Sequence, residues 1–113
     1  MGVDLMGHGG EYFSLNGWES CLLVAEAFGW QPAGTTRPDG HEGEWDGNYF
    51  LNARQRVTDD DAKAISRALF RALNAVSTEK PLSIDQEEAL EGANLNRVMR
   101  LANYTIAGGF MIW

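Results

Sequence analysis

Two histidines sit in similar settings, His8-Gly9-Gly10-Glu11 and His41-Glu42-Gly43-Glu44, each three residues ahead of a carboxylate, and Asp46 follows the second. Imidazole nitrogen and carboxylate oxygen together are a donor set for divalent metals. His8, Glu11, His41 and Glu44, with Asp46, therefore make a candidate metal site and a basis for a small hydrolase, provided the side chains converge. The spacing matches no zinc pattern, and loop histidines beside acids are ordinarily solvated. Gly7-His8-Gly9-Gly10 offers backbone N–H groups to an anion, but it is not G-x-G-x-x-G and the charge around it is negative. Ser14, Ser20 and Thr58 lack a nucleophile context such as G-x-S-x-G. Asp59-Asp60-Asp61 resembles a carboxylate set for acid–base work. Its place ahead of an apolar-periodic run has a sufficient structural cause, the positive end of a helix dipole. No catalytic or cofactor signature emerges, and no cofactor is expected.

The charge is unevenly placed. Residues 1–53 hold eight acids and one base, Arg37, and so carry the whole net charge of −7; the remainder is neutral. Phosphates would be repelled by that half, which argues against direct nucleic-acid binding. The same half holds eight of the twelve aromatic residues and ten of the thirteen glycines. Rings on an acidic, glycine-rich surface suit a protein partner that is basic or amphipathic. Trp30, Trp45, Asp46, Tyr49 and Leu23 are the candidate contact residues. An acidic mimic of DNA is a further alternative, and it requires carboxylates spaced like phosphates on one face.

The elements that must position these residues follow from periodicity. Val3–Met6 reads as a short strand, broken at Gly7–Gly10, with Tyr12–Leu15 extended beyond it. Asn16 and Glu19 have capping-box spacing, which predicts a helix over 17–28 that stops at Gly29 ahead of Pro32. Trp18, Cys21, Leu22, Ala25 and Phe28 share one face of it. Leu23 and Ala27 share another, so the helix is covered twice or shows one side to a partner. Residues 31–48 have loop chemistry. Tyr49–Asn52 reads as a strand, and Ala53–Gln55 as a turn leading to Arg56-Val57. Thr58 caps an amphipathic helix over 59–76, with Ala62, Ile65, Leu69, Leu73 and Val76 inward and Lys63, Arg67, Arg71 and Asn74 outward. Ser83 and Gln86 again have capping-box spacing, which predicts a helix from about Ile84. Leu95, Val98, Met99, Ala102 and Ile106 share a face up to the stop at Gly108-Gly109. The apolar tail Phe110–Trp113 is expected to pair with the sheet beside Val3–Met6.

The expected fold is α+β, a single domain of three or four helices packed on a small, mostly antiparallel sheet. Trp18, Leu22 and Phe50 join the helices over 59–76 and 95–107 at its centre. A chain of 113 residues buries about two-thirds of the surface its unfolded form exposes, so it needs no metal or disulfide to fold. The lone Cys21 lies in an apolar run and is expected as a buried hydrophobe in a reducing compartment. With no basic and apolar leader and no apolar run of about 18 residues, the expectation is a cytoplasmic protein without membrane contact.

The blocks Trp45-Asp46-Gly47-Asn48-Tyr49-Phe50-Leu51-Asn52, Gln55-x-Val57-Thr58 with Asp61-Ala62, and Gly108-Gly109-Phe110-Met111-Ile112-Trp113 resemble a family of small uncharacterised bacterial proteins. The resemblance implies a bacterial or phage setting and attaches no activity, substrate or site residue. Ala53-Arg54 departs from the Asp-Gly or Asn-Gly turn expected at that point. Function is therefore expected to be non-enzymatic: a protein-interaction module, of inhibitor or immunity type, working through its acidic, aromatic N-terminal half.

Overall fold

A computed structural model describes residues 2–77 and 92–113. The described chain runs β1 (Gly2–Met6), β2 (Gly10–Ser14), α1 (Leu15–Ala27), β3 (Arg56–Val57), α2 (Asp59–Ser77), α3 (Gly92–Thr105) and β4 (Phe110–Ile112). The architecture is α+β. The four strands form an antiparallel sheet in the order β2-β1-β4-β3. The helix expected from Ile84, and its Ser83–Gln86 cap, lie outside the described residues.

Alternation along the strands sends Val3, Leu5, Phe13, Val57, Phe110 and Ile112 to one face, where all are buried. The terminal segment enters the sheet between β1 and β3, pairing Leu5 with Ile112 and Val57 with Phe110. It takes the place beside Val3–Met6 that its apolar character requires.

The helices pack on that face. Helix α2 lies against both α1 and α3. Its Ala62, Ile65, Ala68, Leu69 and Ala72 are buried, while Lys63, Arg67 and Arg71 are exposed. Thr58 Oγ1 accepts the Asp61 N–H at 3.2 Å, which is the expected cap. Ser66 Oγ donates to the Ala102 carbonyl at 2.9 Å and ties α2 to α3. Trp18 is fully buried and meets Phe110 edge-on, with ring centroids 6.3 Å apart. No helix among the described residues is long and apolar enough to cross a membrane.

Four expectations are corrected. Helix α1 is capped by Ser14, whose Oγ accepts the Gly17 N–H at 3.1 Å. Strand β2 runs straight into Leu15, which leaves Asn16 already inside the first turn. The buried stripe of α3 is Val98, Leu101, Ala102 and Thr105, whereas Met99 and Ile106 are exposed. Ile106 lies past the last helical residue, so helical phasing no longer places it. Tyr49–Asn52 is bent rather than extended, because Asn48 Oδ1 accepts the N–H groups of Phe50 at 2.6 Å and Leu51 at 3.0 Å. In consequence Phe50 is exposed and takes no part in the core.

Cys21 is fully buried in α1. Burial pushes its thiol from the ordinary 9.0 up to about 12, against the opposing charges of Arg97 and Arg100. Its contribution to stability is whole below pH 9 and is lost as pH rises toward about 12, because the unfolded chain releases the proton first. A thiol reagent is therefore expected to label Cys21 only at the rate of unfolding; labelling of the native protein at the speed of an exposed thiol contradicts this burial.

Candidate functional site

The long connection from α1 to β3 is fixed at its root by one carboxylate. Gly29, at φ 106°, closes α1. Its N–H reaches the Glu26 carbonyl at 3.1 Å and the Trp30 N–H reaches the Ala25 carbonyl at 2.9 Å. This is the Schellman pattern, which folds the residue after the glycine back onto the helix. Trp30 is thereby turned into the core, 3% exposed. Its Nε1–H donates to Asp61 Oδ1 at 2.9 Å, and the Ala33 N–H reaches the same oxygen at 3.4 Å. The Tyr49 hydroxyl donates to Asp61 Oδ2 at 2.6 Å and accepts the Gly34 N–H at 2.8 Å. The rings of Trp30 and Tyr49 meet edge-on at 5.3 Å. Asp61 is 3% exposed in the first turn of α2. Burial first, and then the Asp61 hydrogen bond and charge, push the Tyr49 hydroxyl above its ordinary 10.0.

From that root two backbone segments run side by side. A Cβ on Gly47, at φ 77°, would lie 2.9 Å from the Gly34 Cα, so only glycine admits the approach. Thr35 joins the segments: its N–H donates to the Gly47 carbonyl at 3.2 Å and its hydroxyl to the Asn48 carbonyl at 2.7 Å. Trp45 Nε1–H donates to the Thr35 carbonyl and Oγ1, both at 3.0 Å, which fixes the indole half-buried across the loop. Farther on, the fully buried Gln55 amide donates to the carbonyls of Asn48 at 3.1 Å and Leu51 at 2.6 Å, and accepts the Ala53 N–H at 3.0 Å. Arg54 takes the turn at φ 67°.

A pocket of about 280 Å³ opens on this loop, lined by His41, Glu44, Trp45, Asp46 and Leu51. The His41 ring stands edge-on to Trp45 at 5.1 Å, with its Nε2 3.4 Å from the Glu44 carbonyl oxygen. Leu51 is exposed, as are the acids Asp39, Glu42, Glu44 and Asp46. Trp45 and Leu51 supply an apolar wall and the two carboxylates a negative rim. Such a combination can hold the aliphatic stem and cationic head of a lysine or arginine.

The candidate residues are thus divided. Trp45, Asp46, His41 and Glu44 come together at the pocket. Trp30 and Tyr49 are core residues that support the loop from beneath, not surface contacts. Leu23 is exposed on α1 and does not line the pocket. His8 and Glu11 serve the packing of α3 on the β1–β2 hairpin. His8 Nε2 lies 3.2 Å from the Gly108 carbonyl oxygen, and its ring lies 4.3 Å from that of Tyr104. Glu11 pairs with Arg100 at 2.7 Å, and Arg100 also donates to the Tyr12 carbonyl. Among the described residues no three His, Cys, Asp or Glu side chains gather as a metal would require. Of the three helix-start acids, Asp61 is spent on the hub and Asp59 Oδ1 accepts the Gly109 N–H at 2.7 Å. Compared with known proteins, the chain matches no family model, no curated protein and no solved structure.

Asp61→Ala leaves the Trp30 and Tyr49 donors buried without an acceptor and is expected to cost about 3 kcal/mol or more in urea denaturation. A cost under about 1 kcal/mol, the range of an ordinary surface change, contradicts the hub. Tyr49→Phe is expected to cost about 1–2 kcal/mol at neutral pH. Below pH 10 the Tyr49 contribution is whole; above it the unfolded chain releases a proton that the folded chain keeps, so stability falls. Tyr49→Phe should therefore lose less stability than the parent on going from neutral to strongly alkaline buffer, and an identical loss refutes the assignment.

Proposed function

We propose that this protein is a non-enzymatic protein-interaction module, of inhibitor or immunity type, that acts in the cytoplasm of a bacterial cell and takes a basic segment of its partner at the Trp45 pocket. The observation that carries this reading is the joining of Trp45 and Leu51 with the Glu44 and Asp46 carboxylates around one cavity, on a loop held from beneath by Asp61. The loop carries four exposed acids between residues 39 and 46, and Arg37 donates to the Gly43 carbonyl at 3.3 Å, within the loop itself. A basic partner therefore meets a negative surface with an aromatic anchor at its centre, the arrangement in which rings hold and charges steer. Leu51, exposed at the pocket, supplies the apolar part of the contact next to Trp45.

Isothermal titration with an arginine-rich peptide and with its glutamate-rich counterpart tests the reading. The basic peptide is expected to bind, less tightly as salt rises, and the acidic one not at all. Trp45→Ala should weaken binding about tenfold or more, and Glu44→Gln with Asp46→Asn should reduce its salt dependence. Equal binding of both peptides, or binding unchanged by Trp45→Ala, removes the pocket from the account.

A further inference from the structure

The helices cover one face of the sheet. On the opposite face, the two-residue period of the strands brings Asp4, Met6, Tyr12, Arg56, Met111 and Trp113 outward. Met6, Tyr12 and Trp113 are 46, 53 and 41% exposed, and Met111 is half-buried. A solvated antiparallel face is ordinarily polar, yet here four large apolar side chains lie across adjacent strands. A patch of that kind marks a contact surface.

The charges on the face indicate what covers it. Asp4 exchanges backbone hydrogen bonds with Trp113, at 3.1 and 2.8 Å, and Arg56 stands opposite Met111. Asp4 and Arg56 are thus two strands and two residues apart, on the order of 12 Å between Cα atoms, and no ion pair joins them. Among the described residues neither side chain has a hydrogen-bond or ion-pair partner. Arg54, at the same edge, lies over the Trp113 ring at 4.2 Å. With one acid and two bases, this face is slightly positive on a chain of net charge −7.

We propose that two copies of this chain meet at this face, sheet on sheet, about a two-fold axis. Such an interface is self-complementary, so a contact from residue i to residue j occurs twice. Laying Asp4 of one copy on Arg56 of the other satisfies both charges in both copies. The axis then passes beside β4, where Met111 and Trp113 of the two copies pack on one another. Four strands about 4.8 Å apart, two of five residues, one of three and one of two, give a footprint of roughly 250 Å². That is well short of the ~800 Å² per partner found in tight complexes, so the dimer is weak and forms at high protein concentration.

Sedimentation equilibrium of the intact chain over a wide concentration range tests this, with circular dichroism confirming that each variant is folded. The parent should pass from monomer to dimer and Met111→Lys should remain monomeric. Asp4→Arg or Arg56→Asp alone should weaken dimerisation about tenfold, and the double exchange should restore it. Trp45→Ala should dimerise as the parent does, which separates this surface from the pocket. The proposal is overturned by a parent that stays monomeric throughout, by a dimer indifferent to Met111→Lys, or by a double exchange no better than either single one.

Discussion

A single buried carboxylate organises the long loop between α1 and β3. Asp61 stands where three pieces of chain meet: the first turn of α2, the reversal that follows α1, and the far end of the loop at Tyr49. The first turn of α2 supplies the two acceptor oxygens, and the other two pieces supply the donors. Burying a charge without such donors would be prohibitive. With them, and with the positive end of the α2 dipole alongside, the carboxylate has a fixed place that no apolar residue could fill. The loop between residues 30 and 49 therefore has one way to lie on the helices. The Thr35 bonds to Gly47, Asn48 and Trp45 then set its outer surface from that base.

Coupling between the core and the loop follows from this arrangement. A loop of this length that lacked buried anchors would sample many conformations, and a partner would bear the cost of ordering it. Here that ordering is done during folding, by Trp30, Tyr49, Gln55 and Asp61, all of them buried. The rings that look most like an interface in the sequence are thus two kinds of ring. Trp30 and Tyr49 hold the platform, and Trp45, with Leu51 beside it in the pocket lining, lies upon it.

Much of the fold was legible because its signals are local or periodic. The apolar stripe of α2, its Thr58 cap, the stop at Gly29 and the alternation of Val3–Met6 all rest on a few neighbouring residues. The place of the C-terminal strand was legible for another reason: Phe110–Trp113 is too apolar to remain in water, and β1 offered it an edge. What stayed hidden depends on distant partners. Asp61 looks like its neighbours Asp59 and Asp60, and only the arrival of Trp30 and Tyr49 from 31 and 12 residues away distinguishes it. The burial of Trp30 also has a local cue, since a Schellman turn at Gly29 returns the next residue to the helix. Tyr49–Asn52 has strand composition, but Asn48 bonds its own backbone and bends it. At the site, Trp45, Asp46, His41 and Glu44 are close in sequence and therefore close in space; the separation of His8 and Glu11 from them is set by the packing of the hairpin on α3.

The same geometry decides how charge can act at the pocket. An exposed carboxylate such as Glu44 or Asp46 gains little from a cation in open water, where the medium screens the attraction. A group seated between Trp45 and Leu51 would have water excluded from one side by those walls. An ion so placed feels the carboxylates through a medium less polar than water. The remaining acids, Asp39 and Glu42, lie outside the pocket lining, where a charge acts only at longer range. The acids of the loop thus stand in two settings that composition alone cannot separate: Asp39 and Glu42 away from the pocket, and Glu44 and Asp46 beside the apolar walls of Trp45 and Leu51.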